Sequence, residues 1–131
     1  MASLYKQFKK KGYNFFVGVP CSGIKDFIKE LSNDKTQLYI PATHEDSALG
    51  IAVGAYLMGY KPLVYMQHNG FSNSINGILS LLKPYDIKID MLISIRNHQE
   101  EHKYTAQYIK KLIKTLEYDN HVYFVEEKEE I

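Results

Sequence analysis

HEDSALGIAVGAYLMGYKPLVYMQHNG, residues 44–70, holds a helix and a strand in one short run. From about Glu45 to Met58 it is apolar nearly all round and rich in Ala and Gly, which reads as a buried helix packed closely on its neighbours. Thr43 stands where an N-cap belongs, and Asp46 three positions on makes a loose capping box. Gly59 is placed to end the helix, and Lys61-Pro62 leads into the strand Leu63–Met66. A polar turn follows, Gln67-His68-Asn69-Gly70.

The same alternation continues on both sides. Upstream, Phe15–Val19 reads as a strand ended by Pro20. Ser22 is placed to cap a helix over about Ile24–Leu31, whose apolar positions Ile24, Phe27, Ile28 and Leu31 keep the helical period. Leu38–Ile40 is a short strand stopped by Pro41. Downstream, a helix is expected over about Ser72–Leu82, a strand over Met91–Ile95, a polar stretch from Arg96, a helix over about Thr105–Leu116 and a strand over His121–Val125. The acidic end, residues 126–131, reads as the start of another helix. Strands alternating with helices imply an α/β fold of three layers, with a mainly parallel central sheet and helices on both faces. Residues 1–131 read as one domain, with no repeat, linker or low-complexity segment.

Parallel sheets of this kind place their chemistry just past the carboxyl ends of the strands. Here those ends are Pro20-Cys21-Ser22, Thr43-His44-Glu45, Gln67 to Gly70, and Arg96 to His98. Polar and ionisable groups gather at all four. Composition narrows the classes of function. The 131 residues are 45% apolar and 24% charged, with a formal net charge of +1, so no strong field points to nucleic acid or an anionic membrane. One cysteine allows no internal disulfide and no zinc site built from several cysteines, which favours a reducing cytoplasm. The basic start, MASLYKQFKKKG, lacks the apolar run of a signal peptide, and no later run is long enough to span a bilayer.

Four segments, in order, resemble the pyrimidine-binding domains of sulfopyruvate and phosphonopyruvate decarboxylases, which are thiamine-diphosphate enzymes. They are GVPCSGIKDF (residues 18–27), HEDSALGIAVGAYLMGYKPLVYMQ (44–67), QHNGFSNSINGILSL (67–81) and RNHQEEHKYTAQ (96–107). The resemblance implies that Glu45 bonds N1′ of the cofactor's pyrimidine ring, with Pro20, Gln67, Gly70 and Asn73 also on the cofactor. It makes His102 a second catalytic candidate. Substrate contacts would come from Cys21, Ser22, His44, His68, Asn69 and His98. His68-Asn69 stands where the family often has Asn-Ser, and Cys21 where related enzymes often carry an aspartate. The family's Gly-Asp-Gly motif, which holds the diphosphate and Mg²⁺, does not occur here. The chain therefore resembles an α-type subunit whose β-type partner supplies that half, or a piece of a longer chain.

The implied reaction is decarboxylation of a small anionic 2-oxoacid, sulfopyruvate ahead of phosphonopyruvate, in a hetero-oligomer. The helix over Ser47–Met58 and the one after Gly70 are the candidate interface. Rival readings are an acetolactate-forming or transketolase-like split enzyme, and a non-catalytic anion-binding module on the same fold.

The residues carry plainer readings too. A carboxylate at a helix start is favoured by the free N–H groups and the dipole whatever its function. Gly50 and Gly54, four apart, read as a close-packing device. Cys21 reads as an inert small residue, since no activating base adjoins it in sequence. His98 and His102 are four apart, but no third ligand is evident and no protein-held metal is expected. The lysine-rich stretches read as solvated faces.

Overall fold

A computed structural model describes residues 2–96 and 100–126. Five strands form one all-parallel sheet: β1 (Phe15–Gly18), β2 (Leu38–Pro41), β3 (Pro62–Gln67), β4 (Asp90–Ile95) and β5 (Val122–Glu126), in the order β2-β1-β3-β4-β5. β1, β3 and β4 are buried almost throughout, as parallel strands covered on both faces must be. The edge strands β2 and β5 are half exposed.

Side-chain alternation sorts the core into two halves. Phe16, Leu63, Tyr65 and Leu92 face α1 (Leu4–Lys10) and α2 (Lys25–Asn33), where they meet Tyr5, Phe8, Phe27 and Leu31. Val17, Val64, Met66, Met91 and Ile93 face the other layer. That layer consists of α3 (Glu45–Leu57), a mixed helix over residues 68–82, and α5 (Glu100–Thr115). The mixed helix is 3₁₀ over His68–Ser74, α over Ile75–Gly77 and π over Ile78–Leu82; its short α turn is α4.

The expected three-layer α/β class stands, and the differences are local. The first helix, α1, is absent from the sequence reading because only Leu4, Tyr5 and Phe8 mark its inner face. It docks through Tyr5, whose hydroxyl donates to Asp34 at 2.6 Å, and through Ser3, which donates to Glu30 at 2.6 Å. The helix caps move by one residue. The N-cap of α3 is His44 rather than Thr43, and Cys21 rather than Ser22 precedes the 3₁₀ turn Ser22–Ile24; neither makes a side-chain cap bond. The turn after β3 is helical from His68 on, and α5 begins at Glu100, so part of the polar stretch is helix. At the end of α3 the reading holds. Gly59 takes φ +93°, its N–H donates to Tyr56, and Tyr60 N–H reaches back to Ala55, both at 3.0 Å.

Gly18 is glycine because β3 passes too close for anything else. A Cβ there would lie 2.0 Å from the Tyr65 carbonyl oxygen and 2.6 Å from its ring. The obstacle is largely main chain in mid-sheet, so the strand pair itself must move. Gly18→Ala is expected to lower folding stability by about 1–3 kcal/mol or more, read as a lower urea midpoint at unchanged slope.

Candidate active site

The strand order reverses between β1 and β3, so the crevice of the fold opens at their carboxyl ends. α3 carries the chain from β2 back across β1 to β3, packing on both, and its first residue is Glu45. Glu45 is half-buried. Its Oε1 accepts a hydrogen bond from Asn73 Nδ2 at 3.0 Å. Its Oε2 rests against Gly70: a Cβ added there would lie 2.3 Å from that oxygen. The carboxylate is thus fixed on one side by an amide and faces bare backbone on the other. Helix-start N–H groups add a favourable field. Glu45 is thus brought against Gly70 and Asn73, which lie far along the chain from it.

The other candidates divide into two groups. Pro20, Cys21 and Ser22 follow β1 and line an open cavity of about 520 Å³ with Lys25, Ile28, Lys29 and Ser32. Cys21 is half-buried there, and Pro20 and Ser22 are exposed. His44 is exposed beside Glu45. Gln67 ends β3 opposite Ser94 of β4, half-buried.

Asn69 and His68 turn the other way. With Ser72, Tyr104, Thr105, Tyr108, Ile109 and Leu112 they line a separate apolar cavity of about 200 Å³ between the mixed helix and α5. His68 is 1% exposed and both of its ring nitrogens are engaged. That arrangement does not suit the expected contact with an anionic substrate. His102 is buried in α5, with its ring edge-on to that of His68 and its carbonyl accepting bonds. His98 lies outside the described residues.

Three features escaped the sequence reading. Lys25 and Lys29 lie one turn apart on α2, and that spacing from Ser22 was the available signal. Thr105 and the Arg96 main chain, which hold His68, left no signal, because a buried polar partner is defined only by the fold. α3 was expected to be buried all round, with Gly50 and Gly54 packing closely. Instead a Cβ at either glycine meets nothing within 4 Å, and Leu57 and Met58 are 70% and 79% exposed. The apolar pattern is real, but one face of it has no cover among the described residues.

Residues 1–114 match the family described as thiamine pyrophosphate enzyme, N-terminal TPP binding domain. The chain belongs to this family. The TPP-binding domain is 40% identical over 120 residues to sulfopyruvate decarboxylase subunit alpha of Methanococcus maripaludis, covering 88% of this chain and 71% of that protein. To the subunit alpha of Methanocaldococcus jannaschii it is 40% identical over 99 residues, covering 76% of this chain and 59% of that one. Phosphonopyruvate decarboxylase of Streptomyces viridochromogenes is 31% identical over 90 residues, 69% of this chain and 23% of its own length.

The site fits the pyrimidine end of the cofactor. Glu45 offers an oriented carboxylate, and Gly70 leaves room for that carboxylate where any side chain would displace it. Among the described residues, no three His, Cys, Asp or Glu side chains group closely enough to hold a metal, and no helix is long and apolar enough to cross a membrane.

Proposed function

We propose that this single domain, residues 1–131, is the α-type subunit of a thiamine-diphosphate-dependent decarboxylase that converts sulfopyruvate to sulfoacetaldehyde and CO₂. Phosphonopyruvate is the second candidate substrate. One observation carries the reading: Glu45 opens α3 with its carboxylate gripped by Asn73 and set against Gly70. Identity to the sulfopyruvate decarboxylase α subunits supports the substrate. The diphosphate and Mg²⁺ are assigned to a β-type partner, since no Gly-Asp-Gly occurs in this sequence. A cytoplasmic setting fits the single cysteine.

Thiamine diphosphate, when bound, supplies the nucleophile for the 2-oxo carbon and the sink for the electrons that CO₂ leaves behind. The chain's own part is to hold and tune it. Asn73 fixes one oxygen of Glu45, so that the other can share a proton with N1′ of the pyrimidine ring. Asn73→Ala removes that restraint and is expected to lower kcat by about tenfold. The substrate's anionic end calls for cationic or hydrogen-bonding partners. Ser22 and Cys21 in the first cavity, with Lys25 beside them, are the candidates there, along with exposed His44.

The uncovered face of α3 fits the partner. Gly50, Ile51, Gly54, Leu57 and Met58 form an exposed stripe of small and apolar residues along the helix that Glu45 opens. A bulky charge there has room in this chain. Gly54→Arg should therefore melt at or slightly above the wild-type temperature, yet fail to co-purify with the partner. Retention of the partner would remove α3 from the interface.

The reading is tested by co-expressing the chain with the product of the adjacent reading frame and measuring CO₂ release from each 2-oxoacid. Faster turnover of phosphonopyruvate would change the substrate. Carboligation products without net aldehyde release would move the complex to the acetolactate-forming class.

A further inference from the structure

His68 begins the 3₁₀ helix that also carries Gly70 and Asn73. Its ring is used with opposite polarity at its two nitrogens. Nδ1 accepts the Arg96 backbone N–H at 3.0 Å. That N–H can only donate, so the ring's proton sits on Nε2. Nε2 then donates to the His102 carbonyl at 3.0 Å and lies 3.0 Å from Thr105 Oγ1, which donates to the same carbonyl at 3.1 Å. The rings of His68 and His102 meet edge-on, 5.8 Å between centroids. One imidazole thereby ties the end of β4 and the first turns of α5 to the helix that cradles Glu45.

We propose that His68 is a positioning residue for the Glu45 site: a neutral imidazole strut that fixes the 3₁₀ helix behind Gly70 and Asn73. The proposal rests on the cofactor reading of Glu45 and deepens it. A protonated ring carries hydrogen on both nitrogens and cannot accept the Arg96 N–H. The strut therefore exists only in the neutral form, and protonation loosens the cradle from behind.

The surroundings favour that form. Burial is the largest influence and holds the pKa of His68 below its ordinary 6.5; the His102 and Ser94 carbonyls pull upward, and the His102 side chain adds to the depression. The groups that face the ring are His102 and Thr105 of α5, with Tyr104 and Tyr108 in the shared cavity, and the main chain of Ser94 and Arg96. Glu45 of α3 meets the same helix at Gly70 and Asn73. No carboxylate is among the ring's hydrogen-bond partners in the described residues.

Linkage gives the sign. Above 6.5 the ring is neutral whether the chain is folded or unfolded, and stability does not depend on it. Below 6.5 the unfolded chain takes up a proton that the folded one refuses, so stability falls with pH until the folded midpoint is reached.

The test has two arms. In the full chain, ¹⁵N-labelled histidine resonances are followed against pH. His68 should show the Nε2–H tautomer and titrate below its ordinary 6.5. The Gly70 and Asn73 amide resonances should move with His68. Titration of His68 at or above 6.5, or Gly70 and Asn73 signals blind to it, would overturn the proposal. In the complex, wild-type kcat should fall on the acid side with the His68 midpoint. His68→Gln, which cannot titrate, should keep at least roughly a tenth of kcat and lose that limb, while His68→Phe should lose about tenfold or more. An acid limb unchanged in His68→Gln would also overturn it. Coupled resonances in a complex inactive on either 2-oxoacid would support the strut and count against the cofactor reading.

Discussion

Glu45→Gln is expected to lower kcat of the assembled enzyme by about 100- to 10,000-fold, the range over which a positioned proton-sharing group contributes. The amide nearly matches the carboxylate in shape, and its oxygen can still accept from Asn73 Nδ2, which now bonds Glu45 at 3.0 Å. What it lacks is the negative charge and the second acceptor oxygen, the one beside Gly70. The loss should fall on kcat, with folding and partner binding intact. Because Glu45 is only half-buried and its neighbours are polar or glycine, the melting temperature should move little. Near-normal turnover with the partner bound would sink the assigned mechanism.

Gly70→Ala should come second, and for a steric reason. The new methyl would sit 2.3 Å from Glu45 Oε2, 2.5 Å from its Cδ and 2.8 Å from its Cγ. Every obstacle is part of one side chain, so the fold survives by pushing Glu45 aside. A displacement of that size, roughly 1 Å, is expected to cost about 100-fold in kcat/KM. The contrast with Gly18→Ala is informative, because there the obstacle includes the Tyr65 carbonyl and the cost falls on stability. Urea denaturation and steady-state kinetics on both variants separate the two effects. Equal loss of stability with full activity in Gly70→Ala would show that the Glu45 carboxylate does not work from this position.

Much of this site was legible in the sequence. Proline and glycine punctuation around short apolar runs exposed the strands, and the polar groups just past each run marked the working edge. Glu45, Gly70 and Asn73 were all named from the matching segments, and the fold brings them into contact. The strand order was not legible, because pairing across the sheet is a long-range property that no window of sequence carries. The environment of α3 was legible in part: Ser47–Met58 was named a candidate interface, but the Ala/Gly-rich pattern alone says only that apolar surface must be covered, not whether this chain or another covers it. The setting of His68 was hidden for the same reason. In a polar turn, QHNG, a histidine looks solvent-facing; only the approach of Arg96 and His102, 28 and 34 residues away, makes it a buried strut. α1 was passed over because its three lysines match in number the three apolar residues that mark its inner face.

The central claim is that Glu45 works on thiamine diphosphate brought to it by a second subunit. It is tested most directly by CO₂ release from sulfopyruvate by the purified complex, with the cofactor and Mg²⁺ supplied or withheld, against each subunit alone. The account predicts turnover only when both subunits, thiamine diphosphate and Mg²⁺ are present together. Turnover by this chain alone, or by the complex stripped of thiamine diphosphate, would contradict it.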